Sequence, residues 1–436
     1  MDVADIHRQS RSRNILLIPM LTFLLYDIGI VFYVAAIHIA AFFYPKAMQW
    51  VSGRKNWPQK LEVALAEKFD GVGKRIWVHC ASLGEFEQGR PLIESIVRDY
   101  PDAKILLSFF SPSGYEIRKD YALANHVCYL PADTPAQVNL FLNIAKPDIA
   151  IFVKYEFWLR MLYALQKRKI PVLLVSAVFR PQQLFFRPAG YLWLQALKRF
   201  NLIFVQDAGS EALLRKFGIE QVKSAGDTRI DRVLQLANTA ERYCRLDIFA
   251  EGANLLIVGS SWPKDEAIFL PLINEDLPEN WRVVIAPHHI TEKTLRRLET
   301  QIVHPSVRYS QAEEHTLRNA KILLQDNVGM LGAIYQYGKL AYIGGGFGAG
   351  IHNTLEPMAF GLPVIFGPRY KKFAEAVNMV EHGGAFVIHH PDELRLVFQM
   401  LNSPKWENAS TVCRSYIRKH QGASSKIMAA VSQYID

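Results

Sequence analysis

Gly344–Pro368, GGGFGAGIHNTLEPMAFGLPVIFGP, is the stretch whose reading decides the fold. Leu340–Ile343 before it reads as a buried strand and Pro363–Phe366 near its end as another. Between them Gly344, Gly345, Gly346, Gly348 and Gly350 let the backbone approach a ligand that a Cβ would hold away. A helix is expected to start near Asn353, where free N–H groups and the helix dipole favour an anion. Glu356, three residues on, then falls on the first turn, within reach of ribose hydroxyls. Strand, glycine loop, helix and strand together outline a pocket for a phosphorylated nucleotide. The competing reading is a capping box between Asn353 and Glu356, which needs no glycines ahead of it.

Working outward, strand and helix signals alternate on the amino-terminal side: Ile76–Ala81, Gln88–Asp99, Ile105–Ser108, a helix from Gly114, Ile149–Val153, Trp158–Lys169, Val172–Ala177, Leu202–Gln206 and Ser210–Phe217. That rhythm predicts a parallel sheet covered by helices. The pattern loosens around Ser224–Asp231 and resumes with Leu255–Val258, Lys264–Ile273, Trp281–Ala286, Glu292–Glu299 and Ile322–Leu324. We therefore expect α/β architecture with a leading segment over residues 1–50 and domains over residues 51–235 and 236–436. Two doubly wound domains facing each other would put a cleft between the carboxyl ends of their sheets, where such folds bind ligands.

With 436 residues, half of them apolar, the chain can bury two ordinary cores. Its net charge of +9 suits an anionic ligand or membrane surface. No zinc-finger spacing, dense basic block with interleaved aromatics or RNA-recognition signature is present, which argues against nucleic acid. Cys80, Cys128, Cys244 and Cys413 are widely spaced, as expected of reduced thiols, with Cys80 in a core strand.

The amino terminus is different. From Ile15 to Tyr44 the chain is almost wholly apolar, long enough for a membrane anchor although Asp27 and His38 interrupt it. A cleaved signal peptide fits poorly, because no small-residue cleavage site follows the long apolar run. Arg8, Arg11 and Arg13 precede the run and Lys46, Arg54, Lys55 and Lys60 follow it, so charge does not fix an orientation. The segment either spans the bilayer or lies in its interface. Arg180, Arg187 and Lys198 among Phe179, Phe185, Phe186, Tyr191 and Trp193 suit contact with lipid and phosphate together, or an ordinary amphipathic core helix.

Candidate chemistry gathers after the strands. Glu85, in ASLGEFEQG, follows the first strand; a carboxylate at a helix start is expected to be held ionised and to serve as general base, with Gly84 leaving room beside it. The alternative is again a capping box, Ser82 with Glu85. Glu156 follows the strand Ile149–Val153, where it orients a sugar or pairs on the surface with Lys154. Ser260 and Ser261 read as hydroxyl donors to a phosphate, as do the ring nitrogens of His288 and His289; adjacent histidines diverge, which disfavours a zinc site.

SLGE after the first strand, GSSW at 259–262 and the block GGGFGAGIHNTLEP followed by GLPVIFGP, in this order and spacing, resemble the bacterial 3-deoxy-D-manno-octulosonic acid (Kdo) transferases up to about residue 390. The resemblance implies a glycosyltransferase B fold and inverting, metal-independent transfer of Kdo from CMP-Kdo to a lipid A precursor, at the cytoplasmic face of the inner membrane. No cofactor is implied. Matched by position, Glu85 corresponds to the family's proposed base, Glu156 and Trp158 to a Glu-x-Glu-x-Trp motif, Ser260 and Ser261 to Gly-Ser-Thr, and His289 to Pro-Arg-His. Gly345 and Gly346 fall in the nucleotide loop, and Asn353 and Glu356 match residues that hold the cytidine nucleotide. Lys154, His288 and Met330 depart from the family's acid, arginine and glutamate. A transferase of the same fold using a UDP-sugar, a nucleotide-sugar isomerase and an inactive membrane scaffold are the other readings.

Overall fold

The computed structural model describes residues 23–69, 71, 73–187 and 190–436. Arg8, Arg11, Arg13 and the start of the apolar run at Ile15 lie outside the described residues. The chain divides into a first unit, Met1–Arg229 with Gly422–Asp436, and a second, Ile230–Gln421.

The first unit holds β1 (Arg75–Cys80), β2 (Lys104–Phe109), β3 (His126–Tyr129), β4 (Ile149–Val153), β5 (Val172–Ala177), β6 (Leu202–Val205) and β7 (Val222–Ser224), in the order β3-β2-β1-β4-β5-β6-β7. All these pairings are parallel. Such a sheet is covered on both faces, so its strands are apolar throughout and split their side chains by the period of two. In β1, Trp77 joins one core with Phe141, Phe152 and Leu162. Ile76, Val78 and Cys80 enter the core on the opposite face, with Phe86 and Ile93. His79 shares the face of Trp77 and is fully buried.

The second unit repeats the plan with β8 (Asn254–Ser261), β9 (Trp281–Pro287), β10 (Ser306–Arg308), β11 (Ile322–Leu324), β12 (Leu340–Ile343), β13 (Val364–Phe366) and β14 (Ala385–Val387), ordered β10-β11-β9-β8-β12-β13-β14. Its pairings are also parallel. In each sheet the order reverses beside the first strand, between β1 and β4 and between β8 and β12. Loops leaving adjacent strands there diverge to opposite faces and open a crevice at the carboxyl ends. Glu85, Glu156, Ser260 and the glycine loop lie at the ends of these four strands, while His288 and His289 follow β9.

The helix Ala423–Ile435 follows the second unit in sequence but packs on the helix Leu83–Asp99 of the first, with Ile427, Val431 and Ile435 in the core beside Phe86 and Ile93. All four cysteines are free; Cys80 and Cys413 are buried.

Among the described residues one helix, Phe23–Ala40, is long and apolar enough to cross a membrane. It carries one face along the first unit: Phe23 meets Tyr163 edge-on, Tyr26 meets Trp193, and Tyr33 stacks on Phe110. In the segment with Arg180 and Arg187, Phe179 is buried while Leu184 and Tyr191 are exposed, so the aromatics serve partly as core.

Candidate functional site

At the switch point of the first sheet, Glu85 occupies the first turn of the helix Leu83–Asp99. Its Oε2 accepts the N–H of Ala81, one residue before the N-cap, and the side chain of Ser82 makes no capping bond, so the reciprocal pair of a capping box is not formed. The expectation that the helix start holds Glu85 ionised is corrected by its surroundings. Burial, then the charge of Glu156, raise its pKa from 4.5 to about 7, against the backbone bond from Ala81 and the charge of Lys154. A carboxyl that releases its proton near neutrality suits a general base better than one locked in the charged form. A Cβ at Gly84 would meet nothing within 4 Å, so the space beside Glu85 is open.

Glu156 follows β4, after Lys154 in the left-handed region at φ 72°. It is buried, and it bonds to His79 rather than pairing on the surface with Lys154: His79 Nε2 lies 2.9 Å from Glu156 Oε2, which Trp158 Nε1 also approaches. Behind the imidazole, Nδ1 lies 2.8 Å from Ser108 Oγ, which in turn accepts the Trp77 indole N–H at 2.7 Å. With Glu156 ionised, one assignment satisfies every atom: Trp77 donates to Ser108, Ser108 to His79 Nδ1, and His79 Nε2–H to Glu156. A groove of about 430 Å³ runs past Glu156 and Trp158, walled by Tyr26, Tyr33, Phe157 and Phe185.

In the second unit β8 ends in a register shift between Gly259 and Ser261, with Ser260 left-handed at φ 55°. Ser261 is buried and its Oγ has no partner. Strain and an unsatisfied hydroxyl at a strand tip are features of ligand-binding turns. The glycine loop leaves β12 alongside: a Cβ on Gly344 would stand 2.2 Å from the carbonyl oxygen of Ser260, and one on Gly346 2.5 Å from the nitrogen of Gly367. Asp265 fixes its start. This buried carboxylate accepts the N–H groups of Gly345 and Trp262, each at 2.9 Å, so the Gly345 N–H is already engaged.

The helix expected from Asn353 begins at Leu355 and spans only Leu355–Ala359, too short for much dipole. Nor do Asn353 and Glu356 form a capping box; Asn353 Nδ2 donates to Glu356 Oε1 at 2.9 Å and Asn353 Oδ1 accepts the Leu355 N–H at 3.1 Å. His288 is sandwiched between Trp262 and His352, at ring separations of 4.5 and 4.4 Å, while His289 meets Trp262 edge-on. Trp262 Nε1–H donates to His352 Nε2 at 2.8 Å, which places the His352 proton on Nδ1. Burial lowers the pKa values of His288 and His352, the latter to about 4, so both rings are neutral at pH 7. A cavity of about 420 Å³ opens between this stack and the loop, lined by Trp262, Lys264, Gly345, Gly348, Gly350 and His352.

The structure thus brings Glu85 and Glu156 together in one unit, and Ser260, Ser261, His289, Gly345 and Gly346 around one loop cluster in the other. Asn353 and Glu356 stand at that loop's far end. Sequence reasoning passes over His79, Ser108, Asp265 and His352. A histidine inside the apolar strand RIWVHC, just before a switch-point loop, is the available signal for the first.

Two Rossmann-like sheets, each with its polar residues at the switch point, define a protein of the glycosyltransferase B fold. Solved structures agree: UDP-GlcNAc 2-epimerase from Neisseria meningitidis is similar with a TM-score of 0.58 at 14% identity, over 82% of this chain and 100% of that one. A putative UDP-N-acetylglucosamine 2-epimerase from Listeria monocytogenes gives 0.57 at 14% identity, over 83% and 97%. Residues 55–232 match the family described as 3-deoxy-D-manno-octulosonic-acid transferase (kdotransferase). Relatives named 3-deoxy-D-manno-octulosonic acid transferase are 28% identical in Aquifex aeolicus, covering 76% of this chain and 87% of that protein, and 24% identical in Haemophilus influenzae, covering 85% and 91%. Over most of its length the chain is therefore similar to the Kdo transferases.

Proposed function

We propose that the protein transfers Kdo from CMP-Kdo to a lipid A precursor, with inversion and without a metal, at the cytoplasmic face of the inner membrane. The observation that carries this reading is Glu85, a carboxyl releasing its proton near pH 7 at a strand-tip crevice with open space beside it. In the proposed step the acceptor hydroxyl oxygen attacks the anomeric carbon of Kdo while a Glu85 carboxylate oxygen takes its proton. The bond from that carbon to the phosphate oxygen breaks on the opposite side, and its electron pair leaves with CMP. Glu156, bonded to His79, orients acceptor hydroxyls and keeps the proton affinity of Glu85 high.

The second unit is assigned the donor. Ser260 and Ser261 hydroxyls, His289 and the backbone at Gly346 meet the phosphate and sugar, Gly345, tied to Asp265, shapes the loop around them, and Asn353 and Glu356 meet the ribose. With His288 neutral in its stack, Lys264 is the side chain lining the cavity that brings a positive charge to the departing phosphate.

The test is to incubate the purified full chain with CMP-Kdo generated in situ and a lipid A precursor, then weigh the lipid. A mass gain of one or more Kdo residues, unchanged by EDTA, is expected. An unmodified lipid, together with thermal protection by UDP and none by CMP, would instead indicate a UDP-sugar enzyme of this fold.

A further inference from the structure

The helix Phe23–Ala40 has the composition of a membrane span, but its contacts divide its surface differently. Its half-buried positions, Phe23, Tyr26, Asp27, Ile30, Val34 and Ile37, recur every three or four residues and so form one face. Polar bonds tie that face to the first unit: Tyr26 O–H donates to Asp133 Oδ2 at 2.6 Å, and Arg160 Nε donates to Asp27 Oδ1 at 2.7 Å. The opposite face is exposed and apolar at Leu24, Leu25, Val31, Phe32 and Ile39, with His38 the ionisable side chain on it, and Phe42, 86% exposed, continues it.

A helix lying on a protein in water turns its polar side outward. Here the order is reversed. Asp27, the single acid between Phe23 and Lys60, points inward and is neutralised by Arg160, while Lys46, Lys55 and Lys60 of the same stretch are exposed. Apolar outer face and unopposed lysines together complement an anionic lipid surface. Crossing the bilayer would tear the inner face from the first unit and carry the Asp27 carboxylate into hydrocarbon.

We propose that the helix Phe23–Ala40 lies flat in one leaflet of an anionic membrane, its outer face among the acyl chains and its flanking lysines at the headgroups. Two hollows flank it: the groove with Tyr26, Tyr33 and Glu156, and a cavity of about 520 Å³ with Val31, Val34 and Lys55. Both therefore open at the depth of the lipid. If the transferase reading holds, a lipid acceptor reaches Glu156 without leaving its leaflet.

The experiment uses the full chain with Cys244→Ser and single spin labels at Leu25→Cys, Phe32→Cys and Ile39→Cys, bound to phosphatidylglycerol–phosphatidylcholine vesicles. Collision with oxygen and with a water-soluble nickel complex gives each label's depth. A flat helix puts all three about 5–10 Å below the headgroups. A depth graded along the helix by about 1.5 Å per residue would mean a span and overturn the proposal. Labels shielded from lipid in a chain that sediments as a dimer would show a second copy on this face, and would overturn it equally. Independently, the double variant Phe32→Asp, Phe43→Asp is expected to bind these vesicles at least tenfold more weakly with its thermal protection by CMP unchanged; undiminished vesicle binding would refute the proposal. The depth readings stand or fall without regard to which sugar is transferred.

Discussion

His79 and Glu156 share a hydrogen bond of 2.9 Å between two side chains that are 0% and 6% exposed. A buried carboxylate survives only where donors surround it, and Glu156 has the His79 and Trp158 N–H groups. Replacing His79 by Phe keeps an aromatic ring but strips one donor from the charge. Bonds to charged groups contribute about 1.5–3 kcal/mol, so His79→Phe is expected to lower kcat roughly 10–100-fold. His79→Gln, whose amide can donate in its place, should recover much of the loss. Equal rates for the two variants would leave His79 as packing alone.

The proton affinity of Glu85 couples activity and stability to pH. Its pKa rises from 4.5 to about 7 on folding, through burial first and the Glu156 charge second. A raised pKa means the folded state holds the proton more tightly. The associated stability is complete below about pH 4.5 and is lost as pH climbs through 7, a change on the order of 3 kcal/mol. Glu85→Gln should therefore abolish transfer yet unfold at higher urea than the parent at pH 8, with the gap closing at pH 4.5. The acid limb of kcat/KM should fall near pH 7 and move to lower pH in Glu156→Gln, which removes the like charge.

Asp265 holds the glycine loop from beneath, through the N–H groups of Gly345 and Trp262. Asp265→Ala frees both donors and lets the loop open, so CMP should bind about tenfold more weakly. Asp265→Asn keeps an acceptor and should lose less. Calorimetric titration of CMP into the folded variants separates this from a change in chemistry.

Gly344 and Gly84 predict opposite outcomes for the same added methyl group. At Gly344 it would sit 2.2 Å from a backbone carbonyl oxygen, and Gly344→Ala should destabilise the second unit by about 2–4 kcal/mol. At Gly84 it would meet nothing within 4 Å, so Gly84→Ala should melt normally while raising KM for the acceptor. Calorimetry and initial rates on both variants check the contrast.

Much of this is readable from the chain because parallel strands are short apolar runs. Ile149–Val153 and Leu340–Ile343 have the same bounds in sequence and structure, and the loops after them mark the switch points before any strand order is known. The strands β3, β7, β10 and β14 escape the pattern because they are the edges of the two sheets, only partly buried, so no continuous apolar run marks them. Helix starts come out late where the first turn is polar: the helix predicted from Gln88 begins at Leu83, which puts Glu85 inside it. Around the site, sequence names carboxylates at strand tips but not their partners. His79 meets Glu156 across 77 positions and Gly345 meets Asp265 across 80, and such pairings follow only from strand order.

The return of Ala423–Ile435 to the first unit has a practical side. A chain cut after Arg229 would look like a tidy half-protein, yet it would bare Phe86 and Ile93 where Ile427 and Val431 belong. Trimming the tail of the chain therefore injures the half that is translated first. Anyone wishing to study that half alone would have to stitch the tail back on by circular permutation.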